Sequence, residues 1–280
     1  IKIKSPGTVI ISASGHCQDI RKVVKPVLNK VTGDIYYIDL SFDEYRLGGS
    51  SFAQTQNKIG NDAPTIRSSV KFRDAFNLVQ DLIKSNKIKS GHDISSGGMI
   101  TTLLEMCFSS VNTGMDIDLT ELGCNDSVKL FFSENHGIII QSESNLEKNF
   151  SNIGVDCHKI GKINNIGLLN IKNFENYFSF NISEYRDIWY NTSKDFDMIQ
   201  TKNNKGVERF NNYKNQPLNF IFPDYFNGNV DTNFDKNKIN AAVIREKGSN
   251  SEREMAYMIS LAGFNVKDIH MTDIISGRED

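Results

Sequence analysis

Hydrophobic positions change period several times along the chain. Short, nearly continuous β-branched runs at residues 7–12 and 35–40 predict strands buried on both faces. Between them Ile20, Val23, Val24, Val27 and Leu28 recur at roughly helical spacing over 19–31, although Pro26 opposes one uninterrupted helix. After a turn at Gly48, Gly49, Ser50 and Ser51, residues 70–87 read as an amphipathic helix with Phe72, Phe76, Val79, Leu82 and Ile83 on its buried side. A polar, glycine-containing loop at 91–98 leads into a second helix over 99–109. Residues 116–119, 128–132, 137–141 and 166–171 read as four further short strands. Strands and helices mixed around one core predict a layered α+β domain over residues 1–180.

Near Asn181 the pattern weakens, and up to about residue 238 the chain is dense in Asn, Lys, Asp and aromatics. One helix is expected there, around 183–200, carrying the only tryptophan, Trp189. This stretch reads as a connector lying on another surface. Residues 239–244 then form an apolar strand, Gly248 to Ser251 a turn, 252–261 a helix and 266–270 a second strand. That order opens a doubly wound sheet, and two strands cannot bury their own faces, so 239–280 is expected to be the truncated start of a larger domain.

Charge narrows the function. The 280 residues hold 32 Lys and Arg against 34 Asp and Glu, a formal net charge of -2, so no basic stripe favours a nucleic-acid partner. Small molecules or protein surfaces are the expected partners. Cys17, Cys107, Cys124 and Cys157 lie far apart without a paired motif, which indicates neither a zinc knuckle nor a disulfide framework. No apolar run is long enough to span a bilayer, and the cytoplasm is the expected compartment. The absence of an initiator Met at Ile1 is read as a hint of processing.

The densest chemistry sits at 91–98, Gly-His-Asp-Ile-Ser-Ser-Gly-Gly, immediately before a helix. A carboxylate, two hydroxyls and two glycines at a helix mouth can hold Mg²⁺ on hard oxygens and let phosphate approach the helix N-terminus. The same residue types are also preferred N-caps, and spacing alone favours that plainer reading. His92 reads as a structural hydrogen-bonding residue. A His16–Cys17 dyad is disfavoured, because adjacent side chains point apart.

The run GHDISSGGMITTLLEMCF at 91–108 resembles a motif of the phosphoribosylformylglycinamidine synthase family, H-D-x-S-D-G-G-L followed by A-E-M-A-F. Gly48, Gly49, Ser50 and Ser51 with Ala53 and Gln54 resemble that family's glycine turn, and residues 184–200 its connector helix. The run VIREKGSNS at 243–251, with Glu254, Met255 and Ala256 and the later stretch 268–273, is similar to the opening of its glutaminase domain. The resemblance implies three parts: a layered α/β sandwich of the aminoimidazole-ribonucleotide-synthetase C-terminal type at 1–180, a linker at 181–238, and the start of a class I glutamine amidotransferase domain at 239–280.

The implied reaction is ligation. ATP activates the amide oxygen of formylglycinamide ribonucleotide, and ammonia from glutamine displaces phosphate to give the amidine. On the same resemblance Asp93 is a Mg²⁺ ligand and Ser95 contacts the nucleotide, ATP or ADP, while no catalytic residue is assigned to this stretch. Ser96 stands where the family carries a second acidic residue. The glutaminase nucleophile is expected beyond Asp280 and the synthetase catalytic residues before Ile1, with packing against both of those parts as the main protein contact. The alternatives are a noncatalytic scaffold docking synthetase to glutaminase, or another ATP-dependent enzyme of the superfamily, such as a thiamine-phosphate or selenophosphate kinase-like protein.

Overall fold

A computed structural model describes residues 10–17, 19–29, 32–215, 221, 223–225 and 239–279. The chain divides into two compact units, Ile1–Tyr213 and Lys214–Asp280.

The first unit is built on a seven-stranded sheet. Its strands are β1 (Asp34–Asp39), β2 (Ser90–Asp93), β3 (Gly114–Asp118), β4 (Gly137–Ser142), β5 (Cys157–Asn164), β6 (Leu168–Asn173) and β7 (Asn176–Asn181), in the order β2-β4-β1-β5-β3-β6-β7. Only β3 and β6 run parallel among these pairings. The helices of this unit are α1 (Ser51–Thr55), α2 (Ser69–Lys84), α3 (Gly98–Cys107), α4 (Ser127–Phe132), α5 (Glu147–Ser151), α6 (Ile182–Gln200) and α7 (Lys205–Asn212).

The continuous apolar run of β1 has a simple cause, since side chains alternate across a strand. Ile35 and Tyr37 enter a core with Met99, Leu103 and Met106 of α3 and Leu130 and Phe131 of α4. Tyr36 and Ile38 enter a second core with Ala75 and Leu82 of α2 and Phe150 of α5. Each such burial stabilises by about 2 kcal/mol. The two layers of helices on one mixed sheet are the expected α+β sandwich.

Several local expectations change. Residues 128–132 are helix α4, because the Asp126 carboxylate accepts from the N–H groups of Val128 and Lys129, both at 3.1 Å, and caps the turn. A five-residue apolar run does not by itself distinguish a buried helix from a strand. Among the described residues of 19–31 only Ile20–Lys22 winds, as a 3₁₀ turn capped by Asp19. Of the strand expected at 7–12, residues 7–9 lie outside the described residues, and Ile10 and Ile11 are exposed and not in a strand. Phe76 of α2 is exposed, with Ala75 taking the buried position. Strand β5 escapes the sequence because its apolar residues Cys157, Ile160 and Ile163 fall three apart, and β7 because its inward face offers only Phe178 and Phe180 among polar neighbours.

In the stretch expected to hold one connector helix the described residues form two, α6 and α7, and both belong to the first unit. Ile182 is fully buried, Trp189 meets Phe108 with ring centroids 5.9 Å apart, and Arg186 Nη1 donates to the Phe108 carbonyl at 3.1 Å. In the second unit β8 (Asn240–Arg245) and β9 (Asn265–His270) pair in parallel around α8 (Glu252–Leu261), followed by α9 (Met271–Ile275). Met255, Tyr257 and Met258 of α8 are exposed. No helix among the described residues is long and apolar enough to cross a membrane.

Candidate functional site

Strand β2 is an edge strand whose last residues pair with β4, His92 opposite Ile139 and Asp93 opposite Ile138. The chain then turns into α3 within four residues. Ile94 anchors that turn, buried itself and donating its N–H to the Gly137 carbonyl at 2.8 Å. On either side of this anchor Asp93, Ser95 and Ser96 are exposed. One buried apolar residue thus holds three oxygen-bearing side chains toward solvent.

Both glycines are required by the backbone. Gly97 and Gly98 have φ of 92° and 73°, in the left-handed region. A Cβ on Gly97 would lie 2.3 Å from Thr101 Oγ1, and one on Gly98 2.4 Å from the Phe131 carbonyl oxygen. The glycines therefore permit both the turn and the close approach of α3 to α4.

The capping expectation is overturned. The N-cap of α3 is Gly97, and no side chain there makes a capping hydrogen bond. Among the described residues neither Ser95 nor Ser96 makes a side-chain hydrogen bond, so Ser96 does not cap this helix. Nor is the Gly97 N–H left for phosphate. It donates at 2.9 Å to Oε1 of Glu134, which also accepts from the Ser51 N–H at 2.7 Å. Glu134 thus joins the 48–51 turn to the mouth of α3, and nothing in the sequence pattern singles it out.

Around Asp93 the contacts are polar and sparse. Thr102 Oγ1 donates to the Asp93 carbonyl oxygen at 3.2 Å, which ties the strand end to the first turns of α3. His92 is largely buried and lies between two carboxylates, its Nδ1 3.4 Å from Asp93 Oδ1 and its Nε2 3.4 Å from Glu105 Oε2. Its Nδ1 is also 2.8 Å from the Asp93 carbonyl oxygen.

A magnesium ion takes six oxygens and usually keeps several waters, drawing one or two carboxylates from protein and the rest from phosphates. The Asp93 side chain is 74% exposed and offers one hard anionic oxygen pair outside any cap, which suits a single ligand of that kind. A cage made by this chain alone is excluded among the described residues, where no three His, Cys, Asp or Glu side chains gather to hold a metal.

Burial pushes the thiols of Cys107 and Cys157 up to about 12, so neither is a nucleophile at neutral pH. A groove of about 650 Å³ lies over β3, β5, β6 and β7 and includes none of residues 93–98. Its carboxylates are already engaged, Asp118 with Lys172 at 3.0 Å, Asp34 with Lys159 at 2.8 Å, and Asp116 with the amides of Asn164 and Asn170.

Residues 42–169 match the family model described as AIR synthase related protein, C-terminal domain, and residues 238–280 that of the CobB/CobQ-like glutamine amidotransferase domain. Over 98% of the chain, an Arabidopsis thaliana protein named probable phosphoribosylformylglycinamidine synthase, chloroplastic/mitochondrial, is 35% identical, with 20% of its own length covered. The Caenorhabditis elegans probable phosphoribosylformylglycinamidine synthase is 33% identical with 23% of its length covered, and the Homo sapiens phosphoribosylformylglycinamidine synthase 30% identical with 21% covered. A solved Thermotoga structure, T. maritima PurL complexed with FGAR, aligns on 60% of the chain and 30% of its own at 11% identity with a TM-score of 0.46, a likeness too remote to inform the site. The chain belongs to the phosphoribosylformylglycinamidine synthase family and spans about a fifth of the length of those curated members.

Proposed function

We propose that this chain supplies part of a Mg-nucleotide site to an enzyme that converts formylglycinamide ribonucleotide to formylglycinamidine ribonucleotide with ATP and glutamine. In this reading residues 1–180 are the synthetase-like domain, 181–238 the linker and 239–280 the start of the glutaminase domain, and the enzyme works in the cytoplasm. The observation that carries it is the presentation of Asp93 and Ser95, both exposed and neither capping α3, on a turn fixed by buried Ile94 and two left-handed glycines.

Bound Mg²⁺ would neutralise phosphate charge during phosphoryl transfer. Asp93 would give it one anionic oxygen, and Ser95 would donate a hydrogen bond to the nucleotide. Ile94 and Thr102 keep Asp93 at the strand end, and His92 holds its side of the turn between Asp93 and Glu105. The remaining ligands and the reacting groups come from parts of the enzyme outside this chain.

Calorimetric titration with ADP, with and without Mg²⁺, tests the reading. Asp93→Ala is expected to weaken Mg-dependent binding by about tenfold or more while leaving the unfolding midpoint near its original value, since the side chain is exposed. Equal affinity in the variant would remove Asp93 from the site.

A further inference from the structure

The link from α4 to β4, residues 133–136, ties together two loops that are distant in sequence. Asn135 is buried, donating from Nδ2 to Ser41 Oγ at 3.1 Å and to the Glu44 carbonyl at 3.0 Å, and accepting at Oδ1 from the Arg46 N–H at 3.3 Å. Just before it, Phe132 stacks on Phe52 of α1 with centroids 4.7 Å apart, and the Phe131 carbonyl presses on Gly98 of α3. Glu134 is therefore carried on backbone held from both sides. Its Oε1 accepts from Ser51, the first residue of α1, and from Gly97, the N-cap of α3. A carboxylate shared by the N-termini of two helices gains charge-assisted hydrogen bonds from both and is favoured by both dipoles.

We propose that Glu134 is the positioning residue of the 93–97 turn. Its carboxylate, rather than a nucleotide phosphate, occupies the N-terminus of α3 and locks the turn to the 48–51 loop, so that Asp93 and Ser95 are held ready before any ligand arrives. The inference rests on the reading of Asp93 and Ser95 as the Mg-nucleotide site. It adds that nucleotide phosphate is recruited through the Asp93-bound cation and Ser95, without a direct bond to Gly97.

Hydrogen exchange on the whole chain, without ligand, reads the positioning directly. Glu134→Ala is expected to speed exchange of the Gly97 and Ser51 amides about tenfold or more, with β1 and β4 unchanged, and to weaken Mg-ADP binding by about tenfold. Glu134→Gln keeps an acceptor oxygen and loses only its charge, so it should recover most of the protection and most of the affinity. Unchanged exchange at Gly97 and Ser51 in both variants would overturn the proposal. So would faster exchange with unaltered Mg-ADP affinity while Asp93→Ala weakens binding, because Glu134 would then be a clamp without bearing on the site. Should Glu134→Ala fail to fold, Glu134→Asp decides: it keeps the charge but is one methylene too short to reach both the Ser51 and Gly97 amides, and exchange and affinity both matching the parent would be the refuting result. Asp93→Ala with unchanged affinity sinks the site reading itself, a result separate from the exchange at Gly97 and Ser51.

Discussion

Asp43 shows how much one buried carboxylate organises a loop. Its side chain is 5% exposed and accepts from Arg67 Nε at 3.1 Å, Arg46 Nε at 3.3 Å and the Glu44 N–H at 2.9 Å. Burial alone would raise its pKa, but the hydrogen bond from Arg67, those from the Glu44 and Thr65 amides and the charge of Arg46 outweigh burial and hold it below the usual carboxylate value. A folded pKa below the unfolded value of about 3.9 gives stability that is fully present above that pH and is lost as pH falls through the folded value. Urea midpoints measured from neutral pH down to about pH 3 should therefore fall less steeply for Asp43→Asn than for the parent, and parallel curves would refute the assignment. At this scale legibility followed sequence distance. Asp93 and Ser95 stand beside the glycines that present them and were readable together. Glu134 meets its partners across 37 and 83 residues, a separation that no local pattern reveals.

At the scale of elements, α3 and α4 approach so closely that one residue sets the distance. Gly98 and Gly123 both have left-handed φ, 73° and 72°, but a Cβ would meet the Phe131 carbonyl at 2.4 Å in the first case and nothing within 4 Å in the second. Gly123→Ala should cost about 1 kcal/mol for the backbone alone. Gly98→Ala should cost more than twice that, because α3 must also move off α4. Equal losses in chemical denaturation would mean that the contact is not tight. The periodic elements, α2, α3 and α8, were legible because their apolar spacing is clear over at least ten residues. The short run of α4 reads as a strand, since its helical state is set by the Asp126 cap rather than by its own composition. Strands β5 and β7 lack a clear strand signature for a related reason: the apolar residues of β5 recur every third position and β7 has an exposed face, and pairing within the sheet makes them strands.

For the molecule as a whole, the sandwich class and the late β-α-β opening were readable, whereas the strand order was not, because β2, the edge strand that ends at Asp93, pairs with a strand far along the chain. That order has a functional consequence. Strand β6 lies five positions from β2 in the sheet, about 24 Å at ordinary strand spacing, so the candidate site and the groove over β3 and β6 are separate places on the sheet. The proposed placement of a nucleotide metal at the first of them can be tested directly. With Mn²⁺ replacing Mg²⁺ in a complex with ADP, paramagnetic broadening of backbone amide signals should be strongest at residues 93–97, weak at 116–118 and 170–172, and lost in Asp93→Ala. Broadening centred on 116–118 and 170–172, or undiminished in that variant, would contradict the placement of the site at the mouth of α3.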